Sequence, residues 1–354
     1  MTVLLSATQA GDTDQDGPSP RGMLKGRHAW IITDGAQGLI TQARGIVDAL
    51  GLTSEMKQVS PRGVWRTFAP WAPVAPSERL GRPGSRFAKP WPDVVIASGR
   101  QAIPYVRAIH RQAGLATYTI ILQDPKTGPK TADLIWVPEH DKRRGANVIT
   151  TPTSAHSFSP QRLAQLRREV PAEIAALHGP RVAVILGGKN KVYSFSDEDD
   201  ARLKRGLEAL GRLGASFMLT PSRRSHDGLL NVANLATQNR PRIFWDGTGD
   251  NPYPNFLAHA DMLVVTADST NMCGEAAATG KPVYIFMPSG GSAKFKRFHD
   301  GLKARGITRE LPEDMQALET WDYAPLDSTR VIADEIAQRY ARRMAMLNSK
   351  PSSS

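Results

Sequence analysis

Cysteine is nearly absent: Cys273 is the single thiol in 354 residues. An intramolecular disulfide and a thiolate metal cluster are thereby excluded, and the composition fits a reducing compartment. No catalytic-cysteine signature surrounds Cys273, which reads as a small buried residue beside a loop. No apolar run approaches the ~20 residues that cross a bilayer, and the first residues lack the charged start, apolar core and cleavage site of a signal peptide. The expectation is a cytoplasmic protein, at most peripheral on the inner face of the membrane. Histidines and carboxylates do not fall at zinc-site spacings, so no metal is expected. Zinc-finger, helix-turn-helix and RNP patterns are also missing, which argues against a nucleic-acid partner.

What the chain does have is positive charge and length. Its net charge is +11 and its pI about 9.9, so its partners should be anionic. Nucleotide phosphates and an anionic membrane surface satisfy that charge equally well. At 354 residues the chain exceeds the ~100–200 residues of a common single domain and has room for two cores.

Residues 1–27 are rich in Gly, Asp, Ser and Pro without periodicity and are expected to form a disordered leader. Strands are expected at His28 to Thr33, Asp93 to Ala97, Tyr118 to Leu122 and Leu134 to Val137, each followed by polar loop residues. Ile40, Ala43, Ile46, Val47 and Leu50 mark a helix face that Gly51 ends. The Pro-, Trp- and Arg-rich stretch from Pro61 to Pro92 reads as an irregular excursion with short helical turns. This part, residues 28–160, is expected to be a Rossmann-like domain. A linking helix over 161–179 leads to a second alternation over 180–326, a second Rossmann-like domain. A helix with apolar Val331, Ile332, Ile336, Tyr340 and Met344 fills 327–348, and a disordered tail is expected over 349–354. The fold class is α/β, two doubly wound Rossmann-like domains facing across a cleft.

The most informative stretch runs from Ala260 to Phe286. A short β-branched run, Met262 to Val265, precedes the polar loop Asp268-Ser269-Thr270-Asn271. Glu275 then opens an Ala-rich helix that Gly280 stops before a strand at Val283 to Phe286. The loop and helix start lie at the carboxyl end of a parallel strand, where ligands of open sheets bind and free helix N–H groups favour anions.

Glu275, four residues, Gly280, one residue and Pro282 resemble the donor half of GT-B nucleotide-sugar glycosyltransferases. The resemblance implies that Glu275 bonds the ribose hydroxyls; read from the sequence alone it is equally a helix acid that complements the dipole. Further blocks are Ile32-Thr33-Asp34-Gly35-Ala36-Gln37-Gly38, Gln123-Asp124-Pro125-Lys126, Val137-Pro138-Glu139-His140-Asp141, Thr220-Pro221-Ser222-Arg223-Arg224-Ser225, Asn251-Pro252-Tyr253 and Thr266-Ala267-Asp268-Ser269-Thr270-Asn271-Met272. Together they resemble the family that contains the plant elongated-mitochondria fission factor and its bacterial relatives, described as glycosyltransferases. Cys273-Gly274 departs from the small aliphatic residue and serine expected before Glu275.

The resemblance implies a GT-B fold in which 28–160 is the acceptor-side domain and 180–326 the donor-side domain, with the last helix crossing back to the first. It implies transfer of a sugar from a nucleoside diphosphate sugar, as substrate, to an envelope glycan or lipid acceptor, with no cofactor and no bound metal. A non-catalytic membrane adaptor and a nucleotide-sugar epimerase are the alternatives on the same scaffold. Ser269, Thr270 and Asn271 can present donors to phosphate, and Arg223 and Arg224 can reach the cleft or simply be solvated. Gly187-Gly188-Lys189 is either a phosphate-cradling turn or an ordinary tight turn. Asp34 leads as the base that takes the acceptor proton, against an Asx-turn role; His140 and Asp141 are the other catalytic candidates. Trp65, Trp71 and Trp91, and the cationic segment Lys294 to Arg305, are core or solvated features, or a contact with anionic lipid.

Overall fold

A computed structural model describes residues 19–349. Six parallel strands form the first sheet: β1 (His28–Thr33), β2 (Thr53–Gln58), β3 (Val94–Ser98), β4 (Tyr118–Leu122), β5 (Leu134–Pro138) and β6 (Val148–Thr151), in the order β2-β1-β3-β4-β5-β6. Side chains alternate along each strand, and the two faces are covered separately. Ile31, Ile96, Ile120 and Trp136 pack under helix α1 (Gln37–Leu50), while Ile32, Val95, Ile121 and Ile135 pack against α3 (Ile103–Ala113). Between β2 and β3 runs the excursion, with the short helix α2 (Gly63–Thr67).

Helices α4 (Pro160–Arg168) and α5 (Ala172–Ala175) lead to the second domain. The single linking helix expected there is broken at Pro171, which has no N–H to continue the ladder. The second sheet has the order β12-β11-β10-β7-β8-β9 and is again wholly parallel. Its strands are β7 (Arg181–Leu186), β8 (Ser216–Pro221), β9 (Arg242–Phe244), β10 (Met262–Thr266), β11 (Val283–Phe286) and β12 (Thr308–Glu310). The intervening helices are α6 (Asp197–Arg212), α7 (Asp227–Thr237), α8 (Tyr253–His259), α9 (Thr270–Ala277) and α10 (Ala293–Ala304).

Helix α11 (Ser328–Asn348) returns to the first domain: Ile332, Ile336 and Tyr340 share the core of α1, and Tyr340 meets Tyr118 edge-on at 5.8 Å. Two parallel sheets, each wound in both directions, with the last helix crossing back, make this a GT-B α/β fold. Of the leader expected to be disordered, residues 1–18 lie outside the described residues, and residues 19–27 are ordered. Leu24 is fully buried beside α1, and Arg21 pairs with Asp334 of α11 at 2.6 Å. Most of the tail, residues 350–354, also lies outside the described residues.

Candidate functional site

The strand order switches sides between β7 and β10, so the loops after these two parallel strands diverge and leave a crevice at the carboxyl edge of the second sheet. Asp268 fills its floor. Thr266 donates its hydroxyl to Asp268 Oδ1 at 2.6 Å, Gly188 donates its N–H to Oδ2 at 3.1 Å, and Arg224 pairs with Oδ2 at 2.7 Å. Gly187 and Gly188 are glycines for want of space: a Cβ on the first would strike the Asp268 carboxylate, and one on the second the Arg224 carbonyl. Burial raises the Asp268 carboxyl above its usual range, and these donors oppose that rise.

Ser269 caps α9 by accepting the Met272 N–H, so the helix begins at Thr270, and Glu275 lies inside it rather than opening it. Glu275 is 9 % exposed and accepts the Tyr253 hydroxyl at 2.5 Å. Burial pushes its carboxyl up to about 7, with the Tyr253 bond working the other way. Burial and the neighbouring carboxylate in turn hold the Tyr253 phenol protonated. Tyr253 packs edge-on against Phe158, at 5.8 Å, on the segment that joins the two domains.

The first domain meets this edge directly. Gln42 of α1 donates to Asn271 Oδ1 at 3.2 Å, Gln123 after β4 reaches Gln42 at 3.4 Å, and Gly38 leaves room for Asn271. A cavity of about 250 Å³ opens beside this contact, lined from the first domain by Gln123, Trp136, His140 and Asp141 and from the second by Thr270, Asn271, Lys294 and Phe295. Burial, with Lys294 second, lowers the His140 imidazole to about 4, so it is neutral at physiological pH. Its Nδ1 is buried without a hydrogen-bond partner.

Helix α10 closes the far side of the cavity. Lys294 pairs with Asp141 at 2.7 Å, Arg297 donates to the His140 carbonyl at 3.1 Å, and Arg305 pairs with Glu139 at 2.7 Å. The expectation of a free cationic face over Lys294 to Arg305 is therefore corrected. These three cations clasp the two domains together, and Lys296 pairs with Asp300 on its own helix.

A family model described as mitochondrial fission ELM1 matches residues 37–340. The chain belongs to that family. It is 26 % identical over 403 residues to the Arabidopsis thaliana mitochondrial fission protein ELM1, covering 91 % of this chain and 93 % of that one. An uncharacterised Rickettsia prowazekii protein is 36 % identical over 160 residues, which is 44 % of this chain and 45 % of that one. Among solved structures, the S. aureus MnaA–UDP co-structure superposes with a TM-score of 0.52 at 11 % identity, covering 92 % of this chain and 99 % of that one; the likeness is one of fold.

The blocks that mark the mitochondrial fission ELM1 resemblance do not all converge. Ser269, Thr270, Asn271 and Glu275 share α9 and its cap, and Gly187, Gly188 and Arg224 join them through Asp268. Arg224 is not a free cation, because Asp268 holds it; Arg223 and Lys189 are exposed. His140 and Asp141 line the cavity, but Asp34 is not among its lining residues. Asp34 accepts the Ala36 N–H at 3.4 Å in an Asx turn and lies over Gly99, at the switch point between β1 and β3 of the first sheet. Sequence reasoning missed Asp268 and Tyr253 as site residues, though both lie in the quoted blocks. Their partners are 80 residues away for Asp268 and Gly188, and 22 for Tyr253 and Glu275. For Asp268 the local signal was a polar residue just after a strand; Tyr253, at the start of α8, had no such signal.

Among the described residues no helix is long and apolar enough to cross a membrane, and no cluster of His, Cys, Asp or Glu could hold a metal.

Proposed function

We propose that this chain binds a nucleoside diphosphate sugar at the carboxyl edge of the second sheet and transfers the sugar to a glycan or lipid acceptor met by the first domain. The observation that carries the reading is Glu275. A carboxylate buried to 9 % exposure and bonded to a single phenol costs stability, and its place on α9, more than a turn beyond the capped start, suits it to accept a ribose diol once Tyr253 turns aside. The first-turn N–H groups of α9, with exposed Arg223 and Lys189, supply the positive field for the diphosphate leaving group. Arg224 turning to phosphate would strip Asp268 of its cation, so it acts by fixing the Gly187-Gly188 turn. Asp34, a first-domain carboxylate with no cationic partner among the described residues, is the base; neutral His140 orients the acceptor hydroxyl. The UDP of the S. aureus co-structure belongs to the chemical class proposed here.

Two observations favour the non-catalytic alternative: the Tyr253 hydroxyl already occupies Glu275, and the clasp of α10 narrows the cleft. Calorimetry with a panel of nucleosides, nucleoside diphosphates and their sugars separates the two. We expect diphosphates to bind, and Glu275→Ala to weaken them by about 1–3 kcal/mol, the cost of losing a charged hydrogen-bond partner. Folded protein that binds no diphosphate would leave the adaptor reading standing.

A further inference from the structure

The excursion between β2 and β3 presents the most exposed large apolar side chains of the first domain. Val64, Phe68 and Trp71 are 60 %, 61 % and 62 % exposed. Phe68 N–H donates to the Val64 carbonyl and Trp71 N–H to that of Phe68, each at 2.9 Å, so the three follow one another on successive turns. Ala69, between Phe68 and Trp71, and Ala72, just after them, are buried, which turns the apolar side outward. The turns are pinned from behind: Arg100 donates to the Thr67 carbonyl and Arg107 to those of Trp71 and Ala72, all at 2.7 Å. Three large apolar groups held out in water cost free energy unless something covers them.

The surrounding charge says what covers them. Residues 59–92 contain Arg62, Arg66, Arg79, Arg82, Arg86 and Lys89 against one acid, Glu78, which pairs with Arg86 at 3.1 Å. Arg62 and Arg66, exposed and without an ion pair among the described residues, flank Val64. An apolar tip ringed by cations is complementary to a bilayer with anionic headgroups: the apolar groups enter the acyl boundary and the cations meet the phosphates. We infer that Val64, Phe68 and Trp71, with Arg62 and Arg66, form the surface by which this protein docks on an anionic membrane. The face stands beside the carboxyl ends of β2 and β3, the edge of the first domain that looks toward the cleft, so docking brings a lipid-borne acceptor to that side. The docking needs no nucleotide and is separable from the transferase reading.

Sedimentation with phosphatidylcholine vesicles, with and without phosphatidylglycerol and at low and high salt, tests it. Binding should require phosphatidylglycerol and weaken in high salt. The double variant Arg62→Ala/Arg66→Ala should bind about thirtyfold more weakly, and Phe68→Ser/Trp71→Ser at least about tenfold more weakly. Lys303→Ala, a cation on α10, should bind as the parent does. The two double variants probe the same face independently, so failure of one to fold leaves the other as the test. Binding indifferent to lipid charge, or parent-like binding by a folded double variant, overturns the inference.

Discussion

Replacing Glu275 by glutamine should make the protein more stable at neutral and alkaline pH, and the size of the gain follows from where the carboxyl sits. Its folded pKa is about 7 against the usual 4.5, because burial disfavours the charged form more than the Tyr253 hydroxyl stabilises it. The unfolded chain therefore ionises first as pH rises. Below pH 4.5 both states hold the proton and the group contributes no pH dependence; between 4.5 and 7 the unfolded state gains; above 7 the loss levels off at about 3 kcal/mol. Glutamine keeps an acceptor for Tyr253 and cannot ionise. Guanidinium denaturation of the parent and Glu275→Gln across pH 4 to 9 should give two curves that diverge with rising pH and run parallel above about 7. Every other titrating group is common to both proteins and cancels in the difference. A difference that stays flat with pH would show that Glu275 ionises as an ordinary surface acid and would remove the argument for a carboxylate held at a cost for a ligand.

Tyr253→Phe should destabilise the protein by about 1–3 kcal/mol at pH 8, since it leaves the buried carboxylate without its donor; the same denaturation experiment reads it, and a neutral effect would mean that water serves Glu275 instead. Gly274→Ser, which restores the serine expected at that position, should loosen the domain interface. A Cβ there lies 3.0 Å from the Thr153 Cβ, so small-angle scattering should report a larger radius of gyration and melting should fall. The His140 ring should stay neutral down to about pH 5 in NMR titrations, because burial and Lys294 lower its pKa to about 4. Its folded value lies below 6.5, so its protonation favours the unfolded chain as pH falls from 6.5 toward 4, and His140→Asn should flatten that part of the stability curve.

The buried strands were legible because a strand covered on both faces is a continuous apolar run, as in Val94–Ser98, Leu134–Pro138 and Met262–Thr266, each buried at every position. The edges were not. Strand β2, Thr-Ser-Glu-Met-Lys-Gln, is exposed at four of its six residues and carries no alternation to read, and the edge strands β6 and β12, of four and three residues, are too short to show a period. Their pairing is decided by a neighbour far along the chain, in this case β1, β5 and β11. The ordered residues 19–27 escaped for the same reason: the buried Leu24, the ion pairs of Arg21 with Asp334 and Arg27 with Asp93, and the Gly26 N–H donated to the Gly51 carbonyl hold them, and none has a local pattern.

The site was legible to the depth of one element and no further. That a polar loop after β10 and the helix behind it form a ligand edge follows from strand direction alone, and Ser269 as the cap is what its residue type predicts. What each charged group faces is a property of the crossing between loops. Arg224 reads as a free phosphate cation until Gly188 and Thr266 bring Asp268 against it, and Lys294 and Arg305 read as a solvated face until Asp141 and Glu139 arrive from the other domain. In each case the partner acid lies in a block already singled out for its own sake. A surplus of basic residues in a two-domain chain is thus a weak guide to surface binding until the interdomain acids have been paired off. The cations that remain beside exposed apolar groups, Arg62 and Arg66 at Val64, Phe68 and Trp71, are the ones whose charge still needs a partner outside the chain.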